Sequence, residues 1–142
     1  IISTHPRTKK NLEKLDFKKS SKISFLRPFA FSDYVKLQLE SFLVLSDSGT
    51  ITEESSILNF PAINLRETHE RPEGNEEASV IFTSLDLVNI EQALNILKTQ
   101  ERGSKRTVNI IKDYEAENVS EKIIRLILSY TDFINKKVWK KD

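Results

Sequence analysis

The sequence predicts an α/β layered fold with a mostly parallel sheet, and three observations predict it. Short β-branched or apolar runs alternate with stretches whose apolar residues recur at helical spacing. One run, Phe42 to Leu45, is continuously apolar, as expected of a strand covered on both faces. The 142 residues suit one domain, 1–142, of ordinary size, which buries about 70% of its unfolded surface.

Ile1-Ile2-Ser3 is short and β-branched and reads as a strand or its end. Thr8 to Leu15 is lysine-rich, with Leu12 and Leu15 three apart, and predicts a short exposed helix. Lys22 to Leu26 is a second strand, closed by Arg27-Pro28. Ser32-Asp33 can cap a helix whose apolar positions are Tyr34 or Val35, Leu37, Leu39 and Phe42. After the strand Phe42 to Leu45 comes the polar turn Ser46-Asp47-Ser48-Gly49-Thr50. Thr50 followed by Glu53 has capping-box spacing for a helix over Ile51 to Leu58, which Asn59-Phe60-Pro61 ends. Pro61 to Leu65 is the next strand, Arg66 to Gly74 a charged loop, and Val80 to Phe82 a short strand. Asp86 caps a helix through Lys98, with Val88, Ile90, Ala93, Leu94 and Leu97 as its apolar positions. Glu101 to Lys105 is a surface connection. Asn118 followed by Glu121 has cap spacing for a last helix over about 118–139, along which Ile123, Ile124, Ile127, Tyr130, Phe133, Ile134 and Val138 recur.

Composition narrows the function classes. The chain carries 22 basic and 21 acidic residues, a formal net charge of +1, which argues against an overall basic nucleic-acid binder or an acidic tail protein. It has no Cys, which excludes disulfides, zinc ribbons, iron–sulfur clusters and thiol catalysis by this chain and fits a reducing compartment. No apolar run approaches the roughly 18–20 residues that span a bilayer, and no signal-peptide pattern opens the sequence. Neither nucleic acid nor membrane is an expected partner. The chain begins Ile-Ile-Ser-Thr-His without Met; two β-branched residues there look like the inside of a strand, and we expect a piece of a longer protein. The basic clusters Lys9-Lys10, Lys18-Lys19-Lys22 and Lys136-Lys137-Lys140-Lys141 read as solvated faces, the last also complementing a helix C-terminus.

Two segments can carry chemistry. The turn Ser46 to Thr50 leads from a strand into a helix, at the carboxyl end of the sheet where ligands bind in open parallel folds. A helix N-terminus there offers N–H groups and a positive dipole end to a phosphate, and Gly49 lets the backbone approach the anion. Glu53 and Glu54 follow one turn in; a carboxylate suits ribose hydroxyls better than a phosphate. The alternative is that Ser48 or Thr50 only caps the helix. Neither a P-loop nor a GxGxxG turn is present. The second segment, Arg66 to Gly74, holds two Arg, three Glu and one His after a strand, on the same edge. His69-Glu70 lacks the second His of a zincin motif, so zinc is not expected; the alternative is a solvated loop of Arg–Glu pairs. His5, at the end of the first strand, would face the same edge and can bond a diphosphate oxygen; the alternative is a satisfied structural residue.

These residues carry a resemblance. Ser46-Asp47-Ser48-Gly49-Thr50-Ile51-Thr52-Glu53-Glu54, a Pro-initiated strand, then Arg66-Glu67-Thr68-His69-Glu70-Arg71-Pro72-Glu73-Gly74 resembles the non-hydrolysing UDP-N-acetylglucosamine 2-epimerases. The family pattern is close to (T/S)DSGG(I/V)QEE followed, after one strand, by R(D/E)xTERPE; Thr4-His5-Pro6 resembles a further family segment. The match corresponds to the C-terminal half of the enzyme. The closing stretch, from Asp113-Tyr114 to Val138-Trp139, looks most like a subgroup acting on UDP-activated 6-deoxy-N-acetyl-talosamine, which makes UDP-N-acetyl-L-fucosamine.

The resemblance implies a Rossmann-like half of a GT-B type two-domain fold, with the active site between the halves. It implies C2 epimerisation by elimination of UDP and its re-addition, in the cytoplasm, for surface polysaccharide precursors such as capsule or O-antigen. It implies a UDP-sugar substrate, a missing N-terminal domain, a homodimer, and neither cofactor nor metal. Ser48, Gly49 and Thr50 would bind the diphosphate and Glu54 the ribose. His5 matches an active-site His, and Arg66, Glu70 and Arg71 would line the cleft; from its position beside the second strand's end, and not from the resemblance, Phe29 (or Phe31) would sit against the uracil. Thr50 and Thr52 replace the second Gly and the Gln of the pattern, and His69 stands where Thr is usual. The catalytic carboxylates would lie in the missing half, so the isolated chain is expected to bind UDP weakly and not to epimerise. A GT-B glycosyltransferase half and a non-catalytic sugar-nucleotide-binding module are the rivals. A receiver domain needs an acidic cluster that Ile1 to Pro6 does not offer.

Overall fold

The computed structural model describes residues 1–15, 20–68 and 71–141. Lys18, Lys19, His69 and Glu70 therefore lie outside the described residues. The chain forms two compact units, residues 1–44 and 45–142.

The first unit is a β-α-β piece followed by a helix. β1 (Ile2–Ser3) pairs in parallel with β2 (Phe25–Leu26), Ile2 opposite Phe25. Backbone bonds of 2.8 Å from Ile2 N to Ser24 O and from Thr4 N to Leu26 O extend the ladder. Between them α1 (Pro6–Lys14) starts two residues before the expected Thr8. Pro6 at its first turn has the helical φ built in, and His5 caps it. α1 buries none of its residues, as a lysine-rich helix should. α2 spans Phe31–Glu40 after Ala30, which offers no side-chain cap. Ser32-Asp33 is thus not the cap; Asp33 falls in the first turn, where its charge complements the helix dipole.

The second unit holds a three-stranded sheet in the order β3-β4-β5, built from Val44–Ser46, Ala62–Leu65 and Ile81–Thr83. α3 (Ile51–Leu58) connects β3 to β4, α4 (Glu73–Glu77) precedes β5, and α5 (Leu87–Leu97) follows it. β4 and β5 are parallel, with Ile63 opposite Ile81 and Leu65 opposite Thr83. β5 sits one residue later than the apolar run suggests. The core gathers around central β4: Ile51, Phe60, Ala62 and Ile63 are fully buried, with Val80, Ala93, Leu97 and Ile111 beside them. α5 begins as expected, Asp86 accepting from the Asn89 N–H at 3.0 Å.

Several expectations for this unit are corrected. β3 is an edge strand, and Leu45 on it is 52% exposed, so it is not covered on both faces. Part of the loop expected after Arg66 is helical (α4), entered through Arg71 at φ 71°. A 3-10 turn at Lys112–Glu115 had no periodic signal. α6 covers Val119–Phe133 and continues as a π turn over Ile134–Val138. Asn118 does not cap it: its backbone is left-handed, φ 61°, and its side chain bonds no first-turn N–H. Glu121 instead accepts from Arg125, one turn on, at 2.7 Å.

Candidate functional site

The turn after β3 is held by its own side chains. Ser46 Oγ accepts from the Ser48 N–H at 3.1 Å, and Ser48 Oγ accepts from the Thr50 N–H at 3.3 Å. Ser48 and Thr50 hydroxyls lie 2.9 Å apart, and Thr50 Oγ1 donates to Glu54 Oε1 at 2.8 Å. A carboxylate only accepts and Thr50 has one hydroxyl proton, so Ser48 is the donor of the hydroxyl–hydroxyl link. The hydrogen bonds run Ser48 to Thr50 to Glu54. This overturns the capping box: Thr50 adopts helical dihedrals and bonds no first-turn N–H with its side chain. Ser48, Gly49, Thr50 and Glu54 are nevertheless brought together at the start of α3, with Ser48 and Thr50 exposed. Gly49 is half-buried, and its φ is not positive, since Gly103 alone among the described glycines is left-handed. What Gly49 contributes is therefore the missing side chain rather than an unusual turn.

Asn64, one residue before the end of β4, donates from Nδ2 to Ser48 O at 3.2 Å. The bond ties the turn to the carboxyl end of the central strand, and Asn64 is 1% exposed. Sequence reasoning missed it, although a lone amide in the apolar run Pro61 to Leu65 was a visible signal. Arg66 follows at the same strand end and is half-buried.

Glu53 has a different partner from Glu54. Arg71 donates from Nε to Glu53 Oε1, an ion pair between half-buried side chains. Two carboxylates in the first turn suit the helix dipole but oppose an anion. The Arg71 charge offsets one of them, leaving the α3 N-terminus more hospitable to a diphosphate. The Arg71 turn is tied down further on, where Tyr114 OH donates to Glu73 Oε1 at 3.0 Å. Burial, then the Glu73 carboxylate it bonds and the Glu53 charge, hold the Tyr114 phenol well above the ordinary range of a tyrosine.

The far end of α3 is fixed as firmly. Arg106 donates to Ser56 O at 2.7 Å and Ile57 O at 2.9 Å, two of the terminal carbonyls. Asn59, left-handed at φ 55°, ends the helix and donates to Gly103 O at 2.9 Å. Ser55 Oγ lies 2.7 Å from Phe60 O and 3.1 Å from Ser79 O.

His5 and Phe29 belong to the first unit, both just beyond carboxyl ends of its parallel strands. His5 is exposed, and its Nδ1 accepts from the Arg7 N–H at 3.2 Å. Phe29 is half-buried, whereas Phe31 is 84% exposed. Glu70 lies outside the described residues. Among the described residues no three His, Asp or Glu side chains converge as they would around a metal.

Residues 1–128 match the family model described as UDP-N-acetylglucosamine 2-epimerase. A UDP-N-acetylglucosamine 2-epimerase of Methanocaldococcus jannaschii is 31% identical over 131 residues, which is 89% of this chain and 34% of that protein. The solved structure of the UDP-N-acetylglucosamine 2-epimerase from Rickettsia bellii matches with a TM-score of 0.86 and 51% identity, over 98% of this chain and 38% of that one. The Methanocaldococcus jannaschii enzyme crystallised with UDP-GlcNAc and UDP matches with a TM-score of 0.75 and 31% identity, over 90% and 34%. The chain thus spans about a third of the length of these relatives.

Proposed function

The chain belongs to the UDP-N-acetylglucosamine 2-epimerase family, and on that premise we propose that it is the UDP-binding C-terminal part of a non-hydrolysing epimerase. The observation that carries this reading is the turn at the start of α3. There the Ser48, Thr50 and Glu54 side chains are linked by hydrogen bonds, and Asn64 ties the turn to the carboxyl end of β4. The diphosphate takes the Ser48–Thr50 backbone and the α3 dipole, and Glu54 exchanges its Thr50 bond for ribose hydroxyls. Arg66 and Arg71 serve the sugar side. The family resemblance assigns Glu70 to the cleft and His5 to the diphosphate, and its position after a strand assigns Phe29 to the uracil.

In the whole protein the substrate is a UDP-N-acetylhexosamine, inverted at C2 by loss of UDP and its re-addition. These donors stabilise the leaving diphosphate. Abstraction of the C2 proton needs a base of raised pKa, and that base comes from a further domain. Residues 1–142 are the part of the enzyme that pairs with that further domain. The same domain covers α6, where Ile123, Leu126, Ile127, Leu128 and Phe133 are all at least half exposed. The whole enzyme is a cytoplasmic homodimer that makes precursors of surface polysaccharide.

Calorimetric titration of UDP tests the reading. The chain should bind UDP, and Glu54→Ala should weaken binding about tenfold, the loss of a charged hydrogen bond. A Glu54→Ala affinity equal to that of the parent sinks the ribose role. Deuterium incorporation at C2 by the whole protein, run over several UDP-hexosamines including the 6-deoxy-talosamine sugar, tests the reaction and separates it from glycosyl transfer.

A further inference from the structure

Gly74 closes the tight turn Arg71-Pro72-Glu73-Gly74, its N–H donating to Arg71 O at 2.9 Å. It is buried against α3. A Cβ added to Gly74 would collide with Cγ2 of Thr52 and would also lie 3.5 Å from Thr52 Cβ and 3.7 Å from Ile111 Cδ1. Its φ is not positive, so glycine is needed here for room. Thr52 is fully buried, and its hydroxyl has no hydrogen-bond partner among the described residues. A buried hydroxyl without a partner is a net cost. What Thr52 contributes is therefore its methyl group, seated on the bare backbone of Gly74.

That contact has a neighbour on each side. Glu53 follows Thr52 on α3, Arg71 precedes Gly74 by three residues, and the two are ion-paired. The gap between α3 and the turn therefore decides where the Arg71 guanidinium sits. We propose that Thr52 and Gly74 are a size-matched positioning pair that sets this gap and so presents Arg71 to the sugar nucleotide. The second part rests on the function proposed above. Interiors are packed densely enough that one extra methyl must move something.

The test uses the 142-residue chain with Gly74→Ala and the double variant Gly74→Ala/Thr52→Ser. Three quantities are measured: the NMR signal of the Arg71 Nε–H, the UDP affinity, and the melting temperature. Gly74→Ala should displace the Arg71 signal and weaken UDP binding about tenfold. The double variant, with the colliding methyl removed, should restore both to within about twofold of the parent. A lower melting temperature with the Arg71 signal in place overturns the proposal, as does a double variant as defective as the single one. If Gly74→Ala does not fold, the double variant decides: refolding with the parental Arg71 signal supports the pair, and failure to refold overturns it. If the parent chain binds no UDP, the function reading falls, and the Arg71 signal still decides the positioning pair.

Discussion

Glu53 and Glu54 are adjacent and of one chemical type, yet they are assigned to different work by their partners. Glu53 is tied to Arg71, while Glu54 takes the Thr50 hydroxyl, a neutral partner that a ligand hydroxyl can replace. Tyr114 offers a titration at the same scale. Its phenol is held well above the ordinary range by burial and by the Glu73 carboxylate it bonds. A raised folded value means that the folded chain keeps this proton where the unfolded chain has lost it. Its contribution to stability is therefore complete below a pH of about 10 and is lost as pH rises above it. Tyr114→Phe should flatten the alkaline arm of a urea-midpoint-versus-pH curve. An unchanged arm would place the alkaline loss elsewhere.

At the scale of elements, α3 carries the candidate site, and it is braced at both ends. Its start is fixed by side chains of the turn itself and by Asn64 from β4. Its end is fixed by Arg106, which satisfies two carbonyls that the helix leaves open. Arg106→Ala should cost about 2 kcal/mol, the range for hydrogen bonds from a charged donor. Urea unfolding would read it, and a loss below about 0.5 kcal/mol would show that water replaces the guanidinium. A helix braced in this way suits a ligand that needs N–H groups in fixed places.

At the scale of the molecule, α6 stands apart. It is amphipathic, yet its residues are exposed, and its chief contact is with the π turn that continues it. A face of Ile, Leu and Phe left open to water is what a domain interface looks like before its partner is added. Removing residues after Glu117 should shift the melting temperature by about 2 °C or less, under 1 kcal/mol of stability. It should also reduce self-association at high concentration. A much larger drop would mean that α6 packs on the rest of its unit. No helix among the described residues is long and apolar enough to cross a membrane.

What the sequence determined by itself is whatever is written within a few residues. Among the described residues, the alternation of apolar runs with helical spacing placed the five strands and most helices, and Asp86 announced α5 through its own cap. The turn Ser46 to Thr50 declared the candidate site, and its pairing with the Arg66 to Gly74 segment declared the family. Local patterns also misled at Thr50 and Asn118, because a side chain that can cap a helix can equally bond something else. The tertiary structure decided those choices. Arg71 reaches Glu53 from 18 positions away, Asn64 reaches Ser48 from 16, and Thr52 fits Gly74 across two elements. Each such pairing depends on how the chain returns after a crossover and on the space left there, and neither is fixed by any local window of sequence.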